Sequence, residues 1–322
     1  MTMAPVRSTG RRSGGRRPKQ GAWGSRSRAE SIAGLLLVLP VTLLLGLFQL
    51  WPLIRGAYLS MTETGYFGGS EFIGLDNFAR LFVDPEVLGA FRNSVVYTLV
   101  VLAGVPISAV IASLMNNPSL RLRPFFRALF FLPVVTIPAA AGLAWGTLLN
   151  GNYGPLNHVL GLVGIDGPYW LQDPNYALLA VAVVGIWSTL GYNMILFMAG
   201  LKGIPREMYE AAELDGAGRL RQFFSVTIPL LSPTTFFVSV TSVITSMQMF
   251  DLMYIMIGAD QGVGLRNPAI EDTQTVVYLF YTYAFKENDR GYASALAVVL
   301  LLAVLALTFI QFRFQRRWVH YG

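Results

Sequence analysis

Six long apolar runs leave this chain few ways to fold: Ser31–Trp51, Ser94–Met115, Phe125–Leu149, Ala177–Leu201, Leu231–Ile257 and Tyr292–Phe312. A helix needs roughly 20 mostly apolar residues to cross a bilayer. A backbone inside lipid must satisfy its own hydrogen bonds, so only helices and closed barrels span it. Barrel strands would alternate apolar and polar residues over about ten positions, and these runs do not. Pro106, Pro133 and Pro138 fall inside two of the runs. They would break a soluble helix, but neighbouring spans can satisfy the freed carbonyls. Composition agrees: 13% of the residues are charged and the mean hydropathy is +0.52, against about 25% charged in soluble domains. The expected class is all-α: a polytopic membrane protein with six transmembrane helices. Residues 31–322 are read as one domain, since no repeat of solenoid period is visible.

The net charge of +6 would suggest nucleic acid if it were spread over the chain. It is not. Residues 1–30 hold Arg7, Arg11, Arg12, Arg16, Arg17, Lys19, Arg26 and Arg28 against Glu30, and the remainder is close to neutral. With its Gly, Ser and Pro, this segment reads as a disordered cytoplasmic tail beside anionic lipid. No nucleic-acid partner follows from it. No small-residue cleavage site follows the first apolar run, which argues against a signal peptide. Cysteine is absent and the two histidines, His158 and His320, are far apart, so neither a thiolate nor a histidine metal site is expected.

The loops orient the spans. Arg121, Arg123 and Arg127 cluster around one loop, and Arg313, Arg316 and Arg317 follow the last run, while Pro52–Arg92, Asn150–Tyr176 and Gly258–Gly291 are mildly acidic. The positive-inside rule then puts both termini in the cytoplasm of a multi-pass plasma-membrane protein. The external loops are short. One contains FIGLDNFARLFVDPEVLGAF, an amphipathic stretch expected to lie along the outer membrane face.

Between the fourth and fifth runs lies a polar connection, residues 202–229, with EAAELDGAGRLRQFFSVTIP at its heart. Pro205 suits a first helical position and Gly216 a helix stop, so Arg206–Asp215 and Arg219–Thr227 read as two short helices around a turn. By composition this is an amphipathic connection resting on the bilayer. Its spacing, however, resembles the EAA loop of the membrane-spanning subunits of bacterial ABC importers. Glu210, Ala211 and Ala212 precede Gly216, and Val226, Thr227, Ile228 and Pro229 stand where that family has I-x-L-P. The flanking WPLIRGAYLSM, FRNSVVYTLV, MQMFDLMYIM and FKENDRGYASALAVVL resemble the carbohydrate-uptake branch, of maltose and glycerol-phosphate type. One departure is IGADQGVGLRNP, where that branch often has a glycine-rich T-x-G-G-P; it leaves contacts with the solute-binding protein open.

The resemblance implies a type I importer permease that builds the translocation path and couples to ATPases. Coupling contacts would come from Glu207, Met208, Glu210, Ala211, Ala212, Asp215, Gly216 and Arg219. The implied partners are a second, related but distinct permease subunit, two ATP-binding subunits, an extracytoplasmic solute-binding protein and a sugar. ATP and Mg would be bound by the ATPases. This chain has no G-x-x-x-x-G-K-[ST] phosphate loop, and no cofactor or catalytic residue is assigned to it.

A pyranose has polar edges and C–H faces, so its site needs hydroxyl partners and flat apolar surfaces. Trp187, Tyr192 and Asn193 in the fourth run, and Thr245, Ser246, Gln248, Met249, Phe250 and Asp251 in the fifth, offer both. Aromatics also populate interface belts. Asp251 lies 22 residues past Pro229, roughly 33 Å along a straight helix, which would bring it to the outer surface. The competing function is an ion-coupled secondary transporter, which would need intramembrane charges and inverted repeats. A membrane enzyme is a third reading, with few candidate groups to support it.

Overall fold

The structure is a computed structural model in which residues 28–64, 69–117, 120–258 and 267–318 are described. The basic tail up to residue 27, His320 and most of IGADQGVGLRNP lie outside the described residues. The described residues fall into two compact units, divided between Ile54 and Arg55.

Helix α1 runs Ser31–Leu59, with a π-helical turn at Gly46–Leu50. A short antiparallel hairpin follows, β1 (Thr62–Thr64) on β2 (Ser70–Phe72), with Glu63 opposite Glu71. Only the first part of the amphipathic stretch forms a separate helix, α2 (Asp76–Val83). Asp84 ends it and caps α3, Pro85–Asn116, by accepting from the Glu86 N–H at 2.9 Å. Proline at the first position and an acidic cap are strong helix starts. The second span therefore begins nine residues before the apolar run at Ser94, and the rest of the amphipathic stretch is its first turns.

The third run is not one straight span. It forms α4 (Arg123–Val135) and α5 (Pro138–Leu148), which meet at 105°. Pro138 cannot donate a hydrogen bond and biases Ile137 to extended backbone, where it is found (φ −63°, ψ 131°). Helix α6 (Pro155–Leu162) lies in the next loop. Helix α7 (Pro174–Lys202) is the centre of the bundle and packs on α3 and α4. The polar connection forms α8 (Arg206–Leu214) and α9 (Arg219–Leu230), and α9 meets α10 (Ser232–Met247) at 66°. Short helices α11 (Asp251–Met253), α12 (Ile270–Thr273) and α13 (Val276–Tyr281) lead to α14, Arg290–Trp318. Among the described residues four continuous helices are long and apolar enough to cross a membrane; the two bent pairs make six if each is one span.

Inside lipid, helices associate through close van der Waals packing, and small residues permit it. A Cβ on Gly191 of α7 would stand 2.3 Å from the Phe130 carbonyl oxygen of α4, so only glycine allows this crossing. A Cβ on Gly185 would stand 2.2 Å from the Tyr97 hydroxyl of α3. Around these contacts Val181, Val184 and Phe197 of α7 are fully buried, with Met253, Met256 and Ile257 beside the first two.

A polar clasp holds the start of α14. Tyr292 donates to Asp84 at 2.6 Å, Arg80 pairs with Asp289 at 3.1 Å and lies 3.9 Å from the Tyr292 ring centroid. Burial, reinforced by the Asp84 and Glu86 carboxylates, holds the neighbouring Tyr283 hydroxyl protonated, well above the usual phenol range. The motif FKENDRGYA thus has a packing role: Asp289 caps Tyr292, and a side chain at Gly291 would strike the Thr62 carbonyl.

Candidate functional site: a hydroxyl-lined cavity between broken helices

The two interrupted spans enclose a cavity of about 460 Å³. Pro133, Val134, Thr136, Pro138 and Ala141 line it from the α4–α5 bend. Thr245, Ser246, Gln248, Met249, Phe250, Asp251 and Leu252 line it from the end of α10 and the turn into α11. Helix α7 supplies Gly185, Ser188, Thr189 and Tyr192, and α3 supplies Tyr97 and Val101. Cavities of roughly 300–1,000 Å³ suit small-molecule ligands.

The break after Met247 explains the position of Asp251. Helix α10 unwinds at Gln248–Phe250, where Phe250 takes φ −132°, ψ −52°, and Asp251 opens the next turn. The straight-helix distance from Pro229 therefore does not apply: the path bends by 66° after Leu230 and unwinds before Asp251. Asp251 is exposed at the cavity wall, and an acid at a helix start is favoured by the local dipole.

Four hydroxyls of the wall are turned back onto their own helices. Ser188 donates to Val184 O at 2.9 Å, Thr189 to Gly185 O at 3.1 Å, Thr245 to Thr241 O at 3.0 Å and Thr136 to Leu132 O at 2.8 Å. Each hydroxyl hydrogen is committed to its own helix, leaving oxygen lone pairs to accept. The Asp251 carboxylate adds acceptors. Among the described residues no Lys, Arg or His lines the cavity. Phe250 gives a flat apolar surface, stacked on Tyr254 with centroids 5.3 Å apart.

Of the sequence candidates, Tyr192, Thr245, Ser246, Gln248, Met249, Phe250 and Asp251 share this wall. Trp187 and Asn193 do not. Trp187 packs edge-on against Trp145, centroids 5.5 Å apart, in the core beside the cavity, and Asn193 is buried at 3% exposure. On a helix, 187 lies opposite the face shared by 185, 188, 189 and 192, and 193 lies at the flank of that face. Sequence reasoning missed Thr136, Ser188 and Thr189, polar residues inside apolar runs, and it noted Pro133 and Pro138 without the bend between α4 and α5.

The polar connection is held by local chemistry. At the end of α8 the Ala217 N–H reaches Ala212 O at 2.9 Å and the Gly216 N–H reaches Glu213 O at 3.0 Å, with Gly216 at φ 76°. This is a Schellman stop, which needs the left-handed region that glycine tolerates. Pro205 sits at the cap position, one residue before the helix. Gln222 donates to Ala217 O at 2.9 Å and the Tyr209 and Thr227 hydroxyls are 3.1 Å apart, joining α8 to α9. Glu207, Met208, Glu210, Ala211, Asp215, Gly216 and Arg219 are exposed and Ala212 is half-buried. Arg206 and Glu210 pair at 3.2 Å. Leu214 is 90% exposed and Leu220 74%, large apolar side chains on an otherwise charged segment.

Residues 91–320 match the family model described as "Binding-protein-dependent transport system inner membrane component". The chain is 34% identical over 288 residues to the sn-glycerol-3-phosphate transport system permease protein of Pectobacterium atrosepticum, covering 89% of this chain and 95% of that one. It is 32% identical over 289 residues to the sulfoquinovosyl glycerol transport system permease protein of Agrobacterium fabrum, covering 89% and 91%. Its fold matches a chain of a bacterial ABC transporter involved in the import of alginate, with a TM-score of 0.78 at 21% identity over 90% of this chain and 96% of that one. A second structure, of the alginate transporter in complex with an alginate pentasaccharide-bound periplasmic protein, matches at 0.79 and 20% identity, over 91% of this chain and 97% of that one. The architecture is that of a type I ABC importer permease.

Proposed function

This chain belongs to the family of binding-protein-dependent transport system inner-membrane components, and on that premise we propose that it is the permease subunit of an ATP-driven importer of neutral, hydroxyl-rich solutes such as sugars. It is a transport component, not an enzyme. The cavity between the broken helices is one wall of the path, and a second, distinct permease subunit supplies the facing wall. Two ATP-binding subunits grip residues 202–229 through Glu207, Met208, Glu210, Ala211, Ala212, Asp215, Gly216 and Arg219, and a solute-binding protein delivers cargo from outside. Both termini are cytoplasmic. ATP and Mg sit on the ATPases.

The observation that carries the cargo is the acceptor-rich wall. Ser188, Thr189, Thr245 and Thr136 offer lone pairs and Asp251 a carboxylate, while Tyr97, Tyr192, Ser246 and Gln248 bring groups that can also donate, so the wall suits a solute that both donates and accepts hydrogen bonds. A sugar does so with every hydroxyl, while Phe250 covers a C–H face. A phosphate dianion brings acceptors only and would meet Asp251 with no cation in this wall to offset it. The relatives are named for sn-glycerol-3-phosphate and sulfoquinovosyl glycerol, both of which carry hydroxyls, and their anionic groups mark the contrast.

The test is ATP-dependent uptake by the assembled transporter in proteoliposomes, with neutral sugars and sn-glycerol-3-phosphate as competing cargo. Neutral sugar should be taken up, and Glu210→Lys should abolish uptake while the chain still inserts. Uptake of the phosphate ester in preference to every neutral sugar would overturn the cargo, and full uptake by Glu210→Lys would overturn the coupling role.

A further inference from the structure

A second cavity, of about 620 Å³, lies between α4 and α7 beyond the close Gly191–Phe130 crossing. Its chemistry differs from the first. Phe131, Ile195, Met198 and Ala199 form apolar walls, and among the described residues no Ser, Thr, Asn, Gln or Tyr lines it, so away from its charged end it gives a sugar nothing to hold. At one end stand two cations, Arg127 near the start of α4 and Lys202 in the last turn of α7. Both are exposed, and among the described residues neither is in an ion pair. An apolar trough closed at one end by two unpaired cations is complementary to a molecule with a hydrocarbon body and a single anionic head.

We propose that this groove binds one anionic phospholipid of the inner leaflet, its phosphate held between Arg127 and Lys202 and an acyl chain laid along Phe131, Ile195 and Met198. The inner-leaflet assignment rests on the cytoplasmic placement of residues 202–229. Lys202 is the first residue of that connection, three residues before Pro205 at the cap of α8, so a lipid seated here touches the root of the coupling segment. Lysine and arginine beside an anionic surface each contribute roughly 1 kcal/mol to its attraction, and the two together correspond to about a 30-fold preference for an anionic over a zwitterionic head.

The experiment is native mass spectrometry of the assembled transporter titrated with phosphatidylglycerol or phosphatidylcholine. The wild-type chain should retain one phosphatidylglycerol about 30-fold more tightly than phosphatidylcholine. Arg127→Gln with Lys202→Gln should remove that preference, and Arg127→Lys should keep it. Arg121→Gln with Arg313→Gln, which removes two exposed arginines elsewhere, should leave it intact. Equal retention of both lipids, or equal loss in the control pair, would overturn the proposal. The chain has no cysteine, so a single Ala199→Cys reports what covers the groove: labelling by a lipid-borne maleimide supports the lipid, and cross-linking to the second permease subunit instead sinks it. Uptake measured on the same samples separates the two readings, since sugar transport can persist with an empty groove.

Discussion

Thr275 donates its hydroxyl hydrogen to the carbonyl of Met249 at 3.2 Å, linking the segment before α13 to the unwound turn that lines the cavity. The segment is itself stitched to α3: Asn93 donates to Asp272 O at 2.9 Å and Gln274 O at 3.0 Å, and the Val276 N–H donates to Ser94 Oγ at 3.0 Å. A helix break frees carbonyls that must find partners, and here one partner comes from 26 residues further on. Thr275→Val keeps the shape and removes the hydroxyl, at about 1 kcal/mol for one hydrogen bond. Uptake should fall more than thermal stability does, measured side by side on reconstituted transporter and detergent-solubilised chain. A parallel fall in both would mean that the bond only holds the fold.

The Asp84–Tyr292 contact predicts the opposite balance. It lies in the polar clasp, outside the cavity lining. Tyr292→Phe removes a hydrogen bond to a carboxylate, worth about 1.5–3 kcal/mol. Asp84→Ala removes that bond and the cap of α3 together, adding about 1 kcal/mol. Thermal unfolding in detergent should rank wild type above Tyr292→Phe, and Tyr292→Phe above Asp84→Ala.

At Gly191 the geometry allows no side chain, because the Phe130 carbonyl would lie 2.3 Å from its Cβ and Val134 Cγ2 2.8 Å. Gly191→Val should force α4 and α7 apart and abolish uptake. Gly89 on α3 has nothing within 4 Å of its Cβ, so Gly89→Ala should be neutral or stabilising by up to about 1 kcal/mol. Expression level and gel-filtration profile of the two variants decide the matter.

Trp187 separates packing from recognition. Its ring sits edge-on to Trp145 and is half-buried, so truncating it costs part of the ~3–5 kcal/mol of a fully buried tryptophan. Trp187→Ala should lower stability, while Trp187→Phe should keep the order of sugar preference in uptake competition. A changed order in the phenylalanine variant would bring Trp187 back among the residues that contact cargo.

In the polar connection, Gly216 holds φ 76°. Alanine there pays roughly 1–2 kcal/mol for the left-handed conformation, whereas asparagine tolerates it. Gly216→Ala should reduce sugar moved per ATP hydrolysed, and Gly216→Asn should restore most of it. Equal coupling in all three proteins would show that the turn geometry does not matter to the ATPases.

Much of the molecule was legible in the order of its residues because the responsible forces are local. Hydrocarbon demands twenty apolar residues per crossing whatever surrounds them, so the six runs announce the class. The Schellman stop at Gly216 needs only its own neighbours and was read as a helix stop; the starts at Pro85 and Pro174, capped by Asp84 and Asp173, are as local but lie outside the apolar runs that marked the spans. Seven cavity residues were also visible, since polar side chains are rare enough in apolar runs to stand out.

Other features depended on contacts far apart in sequence. The Gln248–Phe250 break contains no proline or glycine, and Thr275 takes up one of its freed carbonyls. The turn of Ser188 and Thr189 toward the cavity, and the packing of Trp187 and Asn193 into the protein beside it, depend on how α7 is rotated against α3 and α4. That rotation is set by the close approaches at Gly185 and Gly191. Periodicity names the residues a helix carries; which of its faces meets a cavity is decided by the neighbours that pack against it.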